Sequence, residues 1–359
     1  MIFFRSSDKG YFKRLLRRGQ DAAYVARMRL AYDRAEEIQA DAVKSGFDVS
    51  LQLFKDLNDP AKTFEGEFAQ GLKAVGLKFI GPEQSKNVSH ARVFLLPIRS
   101  LNGFANRTPR GTPYVVLNHD IILLLSTYTR WFNAYFTWYD PKPFCRDHSQ
   151  HEFARAVICL ARYAWSGDVN DLRGIRAFNC PTMSDWSEES YLFAYLIETA
   201  IVLHEFGHIV LGHVDSALAH PVQLASGYSI DALKLSRDQE FQADEFAFKK
   251  ICDSGSLPRD TAYMMGLLFK FFELCERLHP PRRPEAERRH PYPEQRWQKI
   301  RDLAEIDKHP GSVTYHLDSA YEALIRFGLM PTSGTQTDSP EVTDAKRASE
   351  RRREATVRD

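Results

Sequence analysis

The stretch that most constrains the fold of this chain is His204-Glu205-Phe206-Gly207-His208, an H-E-x-x-H pattern. Histidines four positions apart lie one above the other on the same face of an α-helix. Two neutral imidazoles placed in this way can bind one Zn²⁺ together. Glu205 follows His204 directly, so its carboxylate should point beside the metal, where it can act as a general base on a water molecule.

The residues around this pattern argue against a chance occurrence. Apolar segments flank it at positions 191–197 and 209–211. Burying two imidazoles and a carboxylate in such a helix is costly unless something satisfies them, and a metal ion would. Gly207 is a helix former about 1 kcal/mol worse than alanine, which suits a position where another backbone or a substrate comes close. We therefore interpret this helix as a metal-binding element rather than as a buried helix with incidental polar residues.

A catalytic zinc site usually has three protein ligands and a water, and His213 is the first candidate for the third ligand. The metzincin pattern H-E-x-x-H-x-x-G-x-x-H needs glycine at position 211 and histidine at position 214, where this chain has Leu211 and Val214. We predict that Gly212 forms the C-terminal turn of the helix. His213 is then expected to cap the helix or to support a ligand rather than to bind the metal.

Glu240 is the better candidate for the third ligand. Ser236 and Gln239 form a capping-box pattern, which predicts that a helix begins here. Glu240 and Asp244 are four residues apart and share one face of that helix. Glu240 can therefore bind zinc while Asp244 accepts the N–H of a ligand histidine and fixes its tautomer.

Two neighbouring carboxylates, Asp238 and Glu245, remain alternatives to Glu240. A solvated acidic face is the other interpretation of this helix. Its apolar residues favour burial instead: Phe241, Ala243, Phe246, Ala247 and Phe248.

The order H-E-x-x-H, then E-x-x-A-D at 240–244, then His290-Pro291 with Arg296, resembles the gluzincin metallopeptidases over residues 187–305. The pattern is most similar to that of the HtpX-like and CAAX-prenyl-type peptidases, and to soluble relatives of the ImmA type and the Lit-type phage-exclusion peptidases. The resemblance implies a zincin-like core and a zinc-dependent endopeptidase. It also implies that His290 or Arg296 helps to hold the substrate or the oxyanion. Membrane helices are common among the HtpX-like and CAAX-prenyl-type peptidases, and this chain has no run of 18 apolar residues.

Composition limits the class of protein. Of 359 residues, 43% are hydrophobic, which is enough for a sizeable core, and the net charge of +1 implies no general attraction to nucleic acid or to membranes. The five cysteines are scattered, which indicates reduced thiols and a cytoplasmic protein. We predict an N-terminal helical segment at 1–60, a metallopeptidase domain at 61–330 and a disordered tail at 331–359.

Strands are predicted at 91–98 and 113–118, and helices at about 187–212, 236–252, 260–278, 294–306 and 316–327. The segment Tyr114–Asn118 is the candidate edge strand with which an extended peptide could pair. The aromatic region 128–140 is expected to pack in the core, although it could also recognise apolar side chains. His148, His151 and Glu152 form a weaker metal-like group.

The sequence as a whole predicts an α+β fold that is mostly α, with a small sheet beside the H-E-x-x-H helix. The expected function is a zinc-dependent endopeptidase that cleaves a protein or peptide. His204, His208 and Glu240 bind Zn²⁺, Glu205 is the general base, and Asp244 supports a ligand. The alternative is a non-catalytic or trigger-dependent zinc-binding protein with a regulatory or host-defence role. Neither the substrate nor the oligomeric state follows from the sequence.

Overall fold

The computed structural model describes residues 7–19, 22–37, 40, 55, 59–98, 103–119, 124–125, 128–129, 150–166, 184–215, 218–223, 229–278, 290–312 and 314–329. Residues Met1–Gly328 group into one compact unit. A second unit spans Leu329–Asp359, and only Leu329 of it is described. The boundaries predicted at 60 and 330 remain predictions.

Helices make up most of the described chain. They are α1 Asp8–Gly19, α2 Ala22–Asp33, α3 Pro60–Thr63, α4 Glu67–Phe79, α5 Pro82–Val88, α6 Gln150–Ser166, α7 Ser184–Val210, α8 Arg237–Asp253, α9 Pro258–Leu278, α10 Pro293–Leu303 and α11 Leu317–Leu329. Short 3-10 turns follow α7 and α10. The helices predicted near 187–212, 236–252, 260–278, 294–306 and 316–327 are thus confirmed within a few residues.

A three-stranded sheet lies between the first helices and the rest of the core. It consists of β1 Arg92–Leu96, β2 Phe104–Arg107 and β3 Pro113–Asn118, in the order β1-β3-β2. β1 runs parallel to β3, and β2 runs antiparallel to it. A separate antiparallel hairpin is formed by β4 Leu218–Gln223 and β5 Ser229–Lys234. The predicted α+β class, mostly α, is confirmed, while the zincin-like core remains a prediction.

The two faces of the sheet pack against different helices, because successive side chains of a strand point to opposite sides. Val115 and Leu117 of β3 belong to the main core, together with residues of α4 and α7. Tyr114 and Val116 face the other way and pack with Phe12 of α1. The sheet is therefore covered by helices on both sides.

The prediction that Tyr114–Asn118 is an edge strand for substrate is wrong. This segment is β3, the central strand, which pairs with β1 along 114–118 and with β2 along 113–116. A strand whose backbone groups are engaged on both sides cannot add a peptide. The edge strand nearest the H-E-x-x-H helix is β2, which lies next to α7.

Two glycines set the geometry of α7. A Cβ on Gly207 would lie 3.3 Å from Ala243 Cα and 3.2 Å from Phe246 Cδ1, so this glycine lets α8 pack directly against α7. This contact confirms the expected close approach of another backbone at Gly207. Gly212 has a φ of +74°, a left-handed conformation that ends the helix as predicted.

Within the described residues, none of the helices combines the length and the apolar character needed to span a lipid bilayer. The cytoplasmic location remains a prediction. His148, most of the aromatic region 128–140 and the tail from 331 lie outside the described residues, as do the side chains of His151 and Glu152.

Candidate metal centre

The two histidines of the H-E-x-x-H pattern lie on a buried face of α7. Only 3% of His204 and 1% of His208 is exposed. Their Nε2 atoms are 3.1 Å apart, as expected for two imidazoles one helical turn apart that point to the same place. Polar rings buried in this way need a common partner.

Glu240 of α8 meets the two imidazoles from the neighbouring helix. One oxygen of its carboxylate lies 3.4 Å from His204 Nε2, and the other lies 3.7 Å from His208 Nε2. Bonds of about 2.0–2.1 Å at a tetrahedral angle would separate neighbouring ligand atoms by roughly 3.3 Å. The three residues form a cluster whose candidate ligand atoms all lie within 4.8 Å of one another, which suits one tetrahedral metal ion.

The alternatives on the same helix lie elsewhere. Asp238 is exposed in the first turn of α8. Glu245 forms a 2.5 Å ion pair with Lys249 on the outer side of the helix. The predicted capping box of Ser236 and Gln239 is present and begins α8 in the register that turns Glu240 inward.

His204 is held from behind by a charged pair. Its Nδ1 lies 2.9 Å from Asp244 Oδ1. Because a carboxylate only accepts hydrogen bonds, Nδ1 has the proton and Nε2 keeps its lone pair for the metal side. Arg296 of α10 donates to both oxygens of Asp244, at 2.5 Å from Nη2 and at 2.8 Å from Nε.

Replacing Arg296 with methionine should lower the free energy of unfolding by about 3–5 kcal/mol, because Asp244 would lose the buried guanidinium that pairs with both of its oxygens. Urea denaturation of the zinc-free protein measures this loss. Arg259→Met is the matched control, since Arg259 pairs with Asp260 on the surface, where ion pairs contribute only about 0–1 kcal/mol. The double variant Arg296→Met with Asp244→Asn should lose less stability than Arg296→Met alone. Equal stability of Arg296→Met and wild type would contradict this assignment.

The His208 ring contacts His213, which in turn contacts Gln242. Its Nδ1 lies 3.0 Å from Nδ1 of His213, which follows α7 in a 3-10 turn. His213 Nε2 lies 3.0 Å from Gln242 Oε1 on α8. Burial lowers the pKa of His213 below its usual value. His213 thus lies behind a histidine and outside the cluster, in agreement with the expectation that it is not the third ligand.

His290 and Arg296 contact different carboxylates of α8: His290 contacts Glu240, and Arg296 contacts Asp244. Nδ1 of His290 is 2.6 Å from Glu240 Oε2, and 23% of its side chain is exposed. Arg296 is buried, and its guanidinium also lies 4.6 Å from the centre of the Phe269 ring. Both predicted residues are therefore brought to the site, but His290 is the one nearer to solvent.

Burial and neighbouring charges shift the pKa values of Glu240, His204 and His208. Burial alone would raise the pKa of Glu240, but the imidazoles of His290 and His204 outweigh it and hold that pKa well below its usual value. Burial also opposes protonation of His204, yet the carboxylates of Asp244 and Glu240 raise the pKa of His204 to about 9. Burial lowers the pKa of His208 well below its usual value. The cluster thus favours one positive charge beside Glu240, which a proton on His204 or a metal ion can supply.

Formal charge gives a second test of whether a metal fits. Glu205, Glu240 and Asp244 are three carboxylates that are each 1% exposed, and Arg296 adds a buried guanidinium beside them. Burying charge without compensation is costly. A divalent cation between the two histidines and Glu240 would offset the excess of negative charge, so the residues fit such an ion.

Glu205 lies where β2 begins. A Cβ on Gly103, the residue before β2, would lie 3.1 Å from Glu205 Oε1 and 2.6 Å from the carbonyl oxygen of Val116. A side chain at position 103 would therefore push against both the general-base candidate and the central strand. The sequence offers no signal for Gly103, which belongs to no motif, or for Gln242, which is a variable position of E-x-x-A-D, since both act through contacts with distant residues.

Comparison with known families gives one match. The model of the family described as Peptidase U49 matches residues 185–316, which include His204, Glu205, His208, Glu240 and Arg296. The match begins at the start of α7 and ends just before α11. Comparison with curated proteins gave no match, and comparison with solved structures gave none either. The family match supports a peptidase.

Proposed function

We propose that this protein is a zinc-dependent endopeptidase. The observation that supports this most strongly is the convergence of His204 Nε2, His208 Nε2 and the Glu240 carboxylate at 3.1–3.7 Å, with both Nδ1 atoms turned toward other partners. Two imidazoles and one carboxylate are the donor set of several catalytic zinc sites. Magnesium and calcium prefer oxygen ligands, so this set favours zinc over either of them.

A zinc ion held by these residues would polarise the scissile carbonyl and lower the pKa of a water molecule. The remaining chemistry belongs to the chain itself. Glu205 follows the ligand His204 and is buried, so it takes a proton from the attacking water and delivers it to the amine that leaves. General acid–base catalysis of this kind contributes about 10²–10⁴-fold to a rate.

The geometry suggests different roles for His290 and Arg296. Arg296 donates to Asp244 from both Nε and Nη2. We therefore propose that Arg296 holds Asp244 in place, and that Asp244 in turn orients His204. His290 donates to Glu240 and is partly exposed. We therefore assign to His290, rather than to Arg296, the stabilisation of negative charge that develops on the substrate carbonyl.

The substrate class is a protein or peptide. β2 takes the place of β3 as the candidate for pairing with an extended substrate, since it is an edge of the three-stranded sheet among the strands that the structure describes. Its first residues follow Gly103, which lies against Glu205. A peptide beside β2 would therefore pass close to the general base.

Purified protein should contain about one zinc per chain, because the cluster provides three ligands for one ion. Removing the metal with a chelator should lower the melting temperature, and zinc at about 1,000 times its Kd should restore roughly 4 kcal/mol of stability. Elemental analysis and thermal unfolding measure the two effects. Magnesium is the control and should not restore the melting temperature. Protein prepared without chelators that contains no zinc, and that added zinc does not stabilise, would rule out the proposed site.

A further inference from the structure

We propose that His213 and Gln242 position the ligand His208, so that helix α8 fixes the orientation of both zinc-binding histidines. This inference rests on the proposed zinc site and extends it to two residues that are not fixed positions of the H-E-x-x-H and E-x-x-A-D patterns. His213 acts on His208 directly, and Gln242 acts through His213. Both are positioning residues, since neither is among the three candidate ligands.

The acceptor Gln242 Oε1 sets the direction of the two hydrogen bonds that connect Gln242, His213 and His208. The Gln242 Oε1 atom only accepts, so His213 Nε2 donates to it over 3.0 Å. With its proton on Nε2, the His213 ring offers the lone pair of Nδ1 as an acceptor, which the zinc-binding tautomer of His208 requires. His208 Nδ1 therefore donates to His213 Nδ1 over 3.0 Å. This arrangement leaves the lone pair of His208 on Nε2, which faces Glu240 and His204.

Local backbone geometry makes the contact possible. Residues five apart on a straight helix point about 140° away from each other, at roughly 100° per residue. His213 is five residues after His208 and could not reach its ring if α7 continued. α7 ends at Val210, and Gly212 takes a left-handed conformation with φ +74°. The turn brings His213 back beneath His208, where it is 5% exposed.

Residues of α8 thus hold both ligand histidines, one through a carboxylate and the other through an amide and a second imidazole. Asp244, four residues after Glu240, holds His204 with a carboxylate. Gln242, two residues after Glu240, holds His208 through the His213 imidazole. Losing a residue that orients a metal ligand typically costs about 10–100-fold in metal affinity. Without His213, the buried Nδ1–H of His208 would lose its acceptor, and the ring could adopt the tautomer that turns its proton toward the metal.

Zinc affinity, measured by competition with a chromophoric chelator, tests the proposal in the full-length protein. His213→Ala should weaken zinc binding about 10–100-fold, and Gln242→Leu should weaken it by a smaller factor, because His213 would remain but its tautomer would no longer be fixed. His213→Asn should recover most of the affinity, since its amide oxygen can occupy the position of Nδ1 and accept from His208. His309→Ala is the matched control, because His309 is an exposed histidine outside the site, and should bind zinc like wild type.

A second measurement separates positioning from general loss of structure. The visible absorption of the cobalt-substituted protein reports the geometry of the metal ligands. It should differ from wild type in His213→Ala and return toward wild type in His213→Asn, while thermal unfolding of the zinc-free forms shows whether the fold is intact. Equal zinc affinity and equal cobalt spectra in wild type and His213→Ala would overturn the positioning role and leave the zinc site standing. Loss of affinity in His213→Ala without recovery in His213→Asn would overturn it too. Wild-type protein that binds neither metal would overturn both proposals.

Discussion

Replacing Glu205 with glutamine should lower the rate of peptide-bond cleavage by about 10²–10⁴-fold while zinc content and fold persist. Glutamine has nearly the shape of glutamate, so the spacing of His204 and His208 on α7 does not change. Its amide cannot accept a proton from water at neutral pH. The variant therefore removes the proposed base without removing a candidate ligand.

The measurement begins with a comparison of new protein N-termini in cells that produce wild type or Glu205→Gln. Sites cut in cells that produce wild type, but not in cells without the protein, identify a substrate, and the purified wild type and Glu205→Gln then give the two rates. Glu245→Gln is the matched control, because Glu245 pairs with Lys249 on α8 away from the cluster, and it should cleave at the wild-type rate. If Glu205→Gln with bound zinc cleaves as fast as wild type, the proposed catalytic role of Glu205 is excluded. A drop of only a few-fold would mean that Glu205 orients the site rather than transferring a proton.

The parts of the site that the sequence predicts are those set by a single helix. His204 and His208 meet because four residues make about one helical turn, and this spacing needs no knowledge of the rest of the fold. Glu240 and Asp244 follow from the capping box of α8 and the same spacing. The sequence could therefore predict that residues 204–208 and 240–244 meet once a metal with three ligands was assumed, and the structure brings His204, His208 and Glu240 together.

The parts that the sequence does not predict depend on contacts between distant segments. The apolar run between Pro113 and Asn118 indicates a strand, but it does not show that β1 and β2 pair on both of its sides. Gly103 meets Glu205 only because the sheet packs beside α7. The resemblance implies that His290 and Arg296 act at the site. It does not show that Arg296 lies behind Asp244.

The contact that His213 makes depends on one backbone angle, the φ of Gly212. Its position after Gly212 argues against a metal ligand, and the cluster of candidate ligands consists of His204, His208 and Glu240. Whether it touches His208 depends on the left-handed turn at Gly212 and on Gln242 reaching across from α8. Both are properties of the packed pair of helices, so a pattern search along the sequence would not find the contact.

Replacing Glu240 with alanine should abolish zinc binding at micromolar metal. Glu240 provides the only carboxylate in the cluster of candidate ligands found among the described residues. Its removal leaves two neutral imidazoles and takes away the charge that attracts a cation. The loss should therefore exceed the roughly 10–100-fold expected for residues that only orient a ligand, such as His213.

Competition with a chelator, using the same preparation for each variant, measures this difference. Asp238→Ala and Glu245→Ala are the matched controls, since both remove a carboxylate from α8 outside the cluster, and both should bind one zinc per chain. Because His290 donates to Glu240, the alanine variant also removes this hydrogen bond, and His290→Ala shows separately how much affinity that contact contributes. The expected order of zinc affinity is wild type and the two controls, then His213→Ala, then Glu240→Ala. If His213→Ala empties the site while Glu240→Ala keeps its zinc, the third ligand is His213, and the assignment of Glu240 is wrong.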